Sequence, residues 1–223
     1  MNKKSFLTAG SLARAISTAT TAVYSAELEE IIVTAQKRAE SLQDVPISMS
    51  ALSGSTIKDN GIHSFQDLSG YVPNLEIAEN AVNTIITMRG IGIGSNQSFE
   101  QSVGIYVDGV QLGKSRQVRT GLFDIEQMEV LRGPQGILFG KNTWAGAING
   151  TTASANVGDE FSGGIDVSQE SYNGQIVDAH IAGSVTDNLA LRFAIRDRTR
   201  DGHIKNTMPG ASTDTMATPD EQM

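Results

Sequence analysis

The chain has 223 residues, with 17 basic and 25 acidic side chains and a formal net charge of −8. This acidic balance disfavours nucleic acid as a partner, because binding to a phosphate backbone requires a positive surface. The sequence contains no cysteine, which excludes a disulfide scaffold, a thiolate metal site and a cysteine nucleophile.

Residues 1–26 start with a positive charge and continue with small and weakly apolar residues. Lys3 and Lys4 supply the positive charge at the start, and Arg14 interrupts the small and weakly apolar residues that follow. The pattern is typical of a secretory signal peptide, although a disordered N-terminal tail is an alternative. No run in the sequence approaches the ~20 apolar residues that a membrane-spanning helix needs.

The next segment is rich in β-branched residues and is flanked by charged ones. It consists of Glu30, Ile31, Ile32, Val33, Thr34 and Ala35. Such residues favour a strand. Since the segment precedes the glycine-rich part of the chain, we expect it to lie outside the packed domain and to pair with an exposed sheet edge by β-augmentation. An ordinary first strand of the following domain remains an equally good interpretation of these residues.

The region from about 41 to 156 alternates short strand patterns with turn signals, as expected for a small α+β domain. Proline cannot donate a backbone hydrogen bond to a β-ladder. We therefore expect an edge strand or the start of a strand near Pro46. We expect a helix over Ser53–Asn60 that ends at Asn60-Gly61. A second helix is expected to start at Ser64 and to carry Phe65, Leu68 and Tyr71 on one side. Strands are expected at Leu75–Ile77 and Thr84–Arg89.

Two further segments are predicted to be central strands of one mixed sheet. Val103–Val107 alternates apolar with smaller residues and ends at the turn dipeptide Asp108-Gly109, and Met128–Leu131 is a short apolar run.

A glycine-rich motif follows the second of these strands; its members are Arg132, Gly133, Pro134, Gly136, Gly140 and Asn142. Dense glycine predicts positive φ angles or close backbone approach, so we expect Gly136 to reject any side chain. Gly133-Pro134 is expected to open a short helical turn, since proline is favourable at the first helical position, and Leu138 and Phe139 are expected to hold that turn against the sheet. Arg132 and Lys141 are expected to form ion pairs.

A polar, glycine-containing loop lies between the strand patterns, at Gly90–Gln101. The residues of interest are Gly92, Ile93, Gly94, Ser95, Asn96, Gln97 and Ser98. We expect Gly92 to tolerate substitution there. On these residues alone, a solvated connector is an open alternative to a binding loop.

The sequences IYVDGV at 105–110 and DIEQMEVLRGPQGILFGKNTWAGAIN at 124–149 resemble the plug domain of TonB-dependent outer-membrane receptors. The resemblance covers roughly Glu30 to Asn206. It implies an α+β plug with a mixed, four-stranded-type sheet and short helices, which fills an outer-membrane barrel of about 22 strands. Receptors of this kind gate the uptake of scarce ligands such as ferric siderophores, haem, cobalamin or glycans.

The resemblance also implies roles for two segments. Glu30–Ala35, within a linker over residues 27–40, would be the energy-coupling box that binds a TonB-type energy transducer in the periplasm. Gly92–Ser98 would be an apex loop that faces a ligand such as a ferric chelate from outside. It implies no cofactor.

Alternating segments of about ten residues appear over residues 157–206. Val177, Ile181, Leu191 and Phe193 belong to apolar sets that alternate with polar or small residues. This is the signature of outer-membrane barrel strands with one face toward lipid, although a soluble antiparallel meander has the same pattern. Thr207–Met223 shows no alternation, and we expect it to be a polar tail without strands.

The sequence departs from the family in length. About 22 strands of roughly ten residues need ~220 residues, whereas 63 follow Glu160. We therefore expect an incomplete barrel, from a truncated gene or an incomplete record. A second hypothesis is a soluble periplasmic plug module that only binds the transducer.

No constellation for catalysis or metal binding is present in the sequence. His63, His180 and His203 have no ligand spacing, and the chain contains neither an H-E-x-x-H nor a G-x-S-x-G motif. We expect no catalytic residue, no metal site and no enzyme activity.

Overall fold

Two larger sheets organise the chain in the computed structural model, which describes residues 31–34, 36–80, 83–94, 100–202, 204–207, 215–216 and 221–222. The described strands, in chain order, are β1 (Ile32–Val33), β2 (Glu40–Ser41), β3 (Met49–Ser53), β4 (Leu75–Glu79), β5 (Thr84–Met88), β6 (Val103–Val107), β7 (Val110–Gln111), β8 (Ile125–Arg132), β9 (Gly146–Thr152), β10 (Ser162–Glu170), β11 (Gly174–Thr186), β12 (Leu189–Thr199), β13 (Ile204–Lys205), β14 (Thr215–Met216) and β15 (Glu221–Gln222). The α-helices are α1 (Gly54–Asp59) and α2 (Gly136–Phe139), and 3-10 helices span Gln66–Gly70 and Ser115–Arg119. The predicted signal peptide lies outside the described residues.

The first sheet has five strands in the order β3-β8-β9-β6-β7. β6 runs parallel to β9, and the other neighbours are antiparallel. The mixed sheet and the interior positions of β6 and β8 are confirmed, and β3 is an edge strand as Pro46 indicated. The expected four strands become five, because β9 inserts between β6 and β8.

Glycine explains why β9 fits in the middle of this sheet. A Cβ on Gly146 would stand 2.5 Å from the carbonyl oxygen of Leu131 and would collide with the sulfur of Met88. Only a residue without a side chain allows these three segments to approach so closely. The fully buried core beneath the sheet includes Leu68, Ile86, Met88, Val103, Met128, Val130 and Ile148.

The short helices follow the predicted stop and start signals, with one exception. The hydroxyl oxygen of Ser53 accepts from the Thr56 N–H at 3.2 Å and caps α1, which ends before Asn60. In the next, 3-10 turn, Phe65 and Leu68 are buried as expected. Tyr71 is exposed instead, since its hydroxyl donates to the Asn60 carbonyl at 3.0 Å.

The second large sheet is antiparallel, in the order β10-β11-β12-β15. Along β12 every second residue is exposed, which confirms the predicted alternation. The expectation of a strandless tail was wrong for part of Thr207–Met223. There, β14 pairs with β13, and β15 pairs with Asp197–Arg198 of β12, because main-chain pairing needs no apolar alternation.

Candidate functional site

The described part of the predicted coupling segment is docked against the first sheet. Glu30 and Ala35 lie outside the described residues, whereas Ile31–Thr34 are described. Ile32 faces Ser41 in an antiparallel pair, and the Leu42 N–H donates to the Ile31 carbonyl at 2.9 Å. The expectation that this segment lies outside the packed domain was therefore wrong, because burial of Val33, which is 1% exposed, holds it there.

A buried carboxylate fixes the end of this segment. The backbone N–H of Thr34 donates to Oε1 of Glu129 at 2.5 Å, and the Asn149 amide donates to Oε2 at 3.0 Å. Glu129 is 1% exposed. Buried carboxylates need such donors, because an unsatisfied buried charge is costly. Sequence reasoning missed Glu129, since one acid in an apolar strand does not reveal a partner 95 residues away.

The predicted apex loop is described only in part. Gly92, Ile93 and Gly94 are described, and Ser95, Asn96, Gln97 and Ser98 lie outside the described residues. Gly94 has φ 66°. A Cβ on Gly92 would stand 2.5 Å from Oγ1 of Thr87 and 3.1 Å from the Ile86 carbonyl oxygen. The expectation that Gly92 tolerates substitution was therefore wrong.

The glycine motif after β8 divides into strained and open positions. Gly133 has φ 101°, Gly140 has φ 78° and Asn142 has φ 65°, all in the region that L side chains rarely adopt. Gly136 differs, because its φ is not in that region and a Cβ there would meet nothing within 4 Å. The expectation that Gly136 rejects any side chain was therefore wrong.

Helix α2 begins at Gly136 after the N-cap Gln135, so the expectation that Pro134 takes the first helical position was wrong. The helix is held by one side chain rather than two. Phe139 is buried, with its ring centroid 4.9 Å from that of Tyr106. Leu138 is 40% exposed, so it does not share the expected role. A four-residue helix presents only one side to the sheet, and Phe139 occupies it.

Arg132 and Lys141 have different partners. Lys141 Nζ lies 3.1 Å from Oε1 of Glu100 in an exposed ion pair. Arg132 instead donates to the hydroxyls of Ser48 and Ser50 and to the Met49 carbonyl, at 3.1, 2.8 and 3.0 Å. The expected ion pair of Arg132 is thus replaced, within the described residues, by neutral acceptors on and just before the edge strand β3. Burial and, next, the positive charge of Arg89 lower the pKa of Arg132.

Arginines on one face of β12 connect the second sheet to the segment that precedes β8. Arg192 donates from Nε and Nη2 to both carboxylate oxygens of Asp124, at 2.7 and 2.6 Å. Arg196 donates to the Leu122 carbonyl at 2.6 Å and to the carboxylate of Asp178. The sequence predicted this inward face but gave no partners for it.

A histidine lies at the same junction. His63 Nε2 is 3.5 Å from Oε1 of Glu170, which also accepts from Arg198 at 3.0 Å. Burial, and then the charges of Arg198 and Arg196, lower the pKa of His63 below 6.5, against the opposing effects of Glu170 and Asp67. The neutral form of His63 therefore predominates at pH 7, and in that form its contact with Glu170 is not an ion pair.

The outer face of β10–β12 is apolar and exposed. Ile165 is 76% exposed and Phe193 is 66% exposed, and Ile181, Leu191 and Ile195 lie on the same face. Among the described residues, no helix has both the length and the apolar composition to cross a membrane. The described part of the chain also contains no group of three or more His, Cys, Asp or Glu that could hold a metal ion.

Comparison with known proteins identifies the part of the chain that contains most of the five-stranded sheet. The family model described as TonB-dependent Receptor Plug Domain matches residues 41–147. A pesticin receptor from Yersinia pestis is 30% identical over 167 residues, which cover 70% of this chain and 24% of that protein. An iron-regulated outer membrane virulence protein from Vibrio cholerae is 28% identical over 192 residues, which cover 78% of this chain and 28% of that protein.

A solved structure agrees with both sheets. The crystal structure of the ferric yersiniabactin uptake receptor FyuA from Yersinia pestis superposes with a TM-score of 0.65 at 28% identity, over 77% of this chain and 27% of that chain. The present chain thus spans about a quarter of the length of these relatives. The plug-domain match, the shared plug and partial barrel sheet, and the outer-membrane relatives agree, and the chain belongs to the family of TonB-dependent outer-membrane receptors.

Proposed function

We propose that this chain forms the plug and the first wall strands of an outer-membrane receptor that takes up a ferric chelate, powered through a TonB-type periplasmic transducer. The observation that carries the proposal is the two-sided sheet β10–β12. Its inner face contacts the plug through Arg192 and Arg196, whereas its outer face presents Ile165 and Phe193. An apolar outer face and a polar inner face suit a wall strand between lipid and a plug. The proposed role is transport and not catalysis.

The proposed transducer site is Glu30–Ala35. Its β-branched side chains favour an extended conformation, and β-augmentation would supply main-chain hydrogen bonds to the partner. Such binding uses the N–H groups of the segment, so the substitution Ile32→Pro should remove one donor and distort the strand.

Calorimetry with the full chain in detergent micelles and the periplasmic domain of the same organism's TonB protein tests this site. We expect Ile32→Pro to weaken binding by roughly fivefold or more, from the loss of about one hydrogen bond. Val157→Pro, in an exposed loop, is the matched control and should bind like the wild type. Equal affinity of the Ile32→Pro variant and the wild type would overturn the assignment.

The proposed ligand is a ferric siderophore, and Gly92–Ser98 is its proposed contact on the plug. The names of two relatives support this class: one is a ferric yersiniabactin uptake receptor and the other is an iron-regulated outer membrane protein. Titration of ferric yersiniabactin, followed by fluorescence of the single Trp144, tests the contact. We expect a saturable signal that the double substitution Asn96→Ala and Gln97→Ala weakens; a signal that this change leaves unaltered would argue against the loop.

A further inference from the structure

Three asparagines of this chain are followed directly by glycine: Asn60, Asn149 and Asn173. A glycine has no Cβ to shield its backbone nitrogen, so that nitrogen approaches the side-chain amide carbon of the preceding asparagine with little hindrance. Attack at this carbon closes a succinimide ring and expels ammonia. Because the two reacting residues are the same at each pair, the fold decides which pair can reach the geometry for ring closure.

Asn149 is held in the middle of the first sheet. Its strand, β9, pairs with β6 and with β8, and the next residue, Gly150, faces Val107 on one side and Met128 on the other. The side-chain nitrogen of Asn149 donates to Oε2 of Glu129 at 3.0 Å. Ring closure at this pair requires the central sheet to open, and central strands open with a free energy close to that of global unfolding.

Asn60 is held by the end of helix α1. Its side-chain nitrogen donates to the Thr56 carbonyl at 2.8 Å, and the N–H of Gly61 donates to the Lys58 carbonyl at 3.0 Å. The second of these bonds occupies the nitrogen that would attack. The Tyr71 hydroxyl also donates to the Asn60 carbonyl at 3.0 Å. Several hydrogen bonds must therefore break before a ring can close here.

Asn173 lies in the exposed turn between β10 and β11. Within the described part of the chain, its side chain makes no hydrogen bond. Tyr172 and Asn173 both have positive φ, 62° and 55°. The next residue, Gly174, pairs with Glu170 in the last rung of the β10–β11 ladder. Ring closure at this pair requires only that the turn and its end rung reorient, and hairpin ends open at low free energy.

Packing explains why a glycine follows Asn173. A Cβ on Gly174 would stand 2.8 Å from Cβ of Glu170 and 3.1 Å from Cγ of Arg200. A residue without a side chain is therefore needed between these two side chains. The fold thus requires glycine at a position where an exposed asparagine precedes it.

We propose that Asn173 is a site of spontaneous deamidation in the folded protein. The Gly174 nitrogen gives its proton to a solvent base and forms a C–N bond with Cγ of Asn173, while the side-chain nitrogen takes a proton from water and leaves as ammonia. Water then opens the succinimide at one of its two carbonyls, which yields aspartate or isoaspartate. The product adds one negative charge to the turn that follows Glu170, whose carboxylate is paired with Arg198 at 3.0 Å.

Peptide mapping by mass spectrometry measures this reaction at all three pairs in one sample. The full chain is incubated in detergent micelles in a mildly alkaline buffer, which favours loss of the backbone proton. We expect Asn173 to react faster than Asn60 by about tenfold or more, because two additional hydrogen bonds must break at Asn60, and Asn149 to react most slowly. Asn188 is the matched control, since it lies in the exposed turn before β12 but is followed by Leu189, and it should stay intact.

A second sample, denatured in concentrated guanidinium chloride without detergent, shows whether the fold causes the selectivity. There the three Asn-Gly pairs should react at similar rates, because unfolding removes the hydrogen bonds that distinguish them. Equal rates at Asn173 and Asn60 in the folded chain would overturn the proposal. A preference for Asn173 that persists in the denatured chain would also overturn it, because the structure would then not select the site.

Discussion

Arg192 of β12 holds both carboxylate oxygens of Asp124, a plug residue just before β8, at 2.7 and 2.6 Å. Both side chains are about four-fifths buried. Two parallel N–H···O bonds fix the relative orientation of the two groups as well as their distance. This pair is therefore a specific attachment between the plug and the second sheet.

We expect Asp124→Asn to weaken that attachment. Asparagine has nearly the same volume and tolerates the φ of 50° at this position, so the change removes mainly the charge and one strong acceptor. The free energy of unfolding in urea, measured on the chain in detergent micelles, should fall by about 1–3 kcal/mol. Asp187→Asn, in the exposed turn after β11, is the control. Equal stability of both variants would show that the Arg192 contact contributes nothing.

The glycines give a second prediction, with Gly146→Ala and Gly136→Ala as a matched pair. Gly146 has backbone and Met88 atoms where a Cβ would lie, so alanine should lower the free energy of unfolding by about 1–3 kcal/mol. Gly136 begins a helix and has open space around it, so alanine should be neutral or stabilise by up to ~1 kcal/mol. Urea denaturation in detergent micelles, followed by circular dichroism, measures both, and similar losses would contradict the assigned packing.

These glycines also show where sequence reasoning succeeds and fails. The period-2 pattern found β6 and β10–β12, because side chains of a strand alternate between two faces whatever the tertiary context, and a short apolar run indicated β8. The strand β9 was missed because its glycines carry no hydrophobic signal. The predictions for Gly92 and Gly136 were wrong, because the density of glycines does not tell which of them lies close to a neighbouring segment. The contacts of Glu129, Asp124 and other long-range partners depend on the fold and have no local signal.

His63 gives a pH-dependent prediction. Burial and Arg198 lower its pKa below 6.5 in the folded state, so between that lowered pKa and 6.5 the unfolded chain binds a proton that the folded chain does not. Stability attributable to His63 is thus complete above pH ~6.5 and decreases as the pH falls through this window.

Urea midpoints in detergent micelles at pH 5.5 and 7.5 check the contribution of His63, with the wild type compared with His63→Gln. The variant should lose less stability on acidification than the wild type, because glutamine does not titrate. An identical pH response of the His63→Gln variant and the wild type would contradict the prediction.

The outer face of β10–β12 gives the last prediction, which concerns lipid. Phe193 and Val110 are each 66% exposed, but Phe193 lies on the apolar face of β12 and Val110 on the short plug strand β7. The 223-residue chain should aggregate in plain buffer and associate with dioleoylphosphatidylcholine vesicles, since a contiguous apolar face in water favours association.

A lysine on a lipid-facing strand costs about 2–4 kcal/mol near the bilayer midplane, so Phe193→Lys should strongly reduce co-flotation with the vesicles. Val110→Lys adds the same charge at the same exposure and should float like the wild type. Because these vesicles are neutral, lysine cannot compensate by binding anionic lipid. A chain that is monodisperse without detergent, or equal flotation of the two lysine variants, would show that this face does not meet lipid.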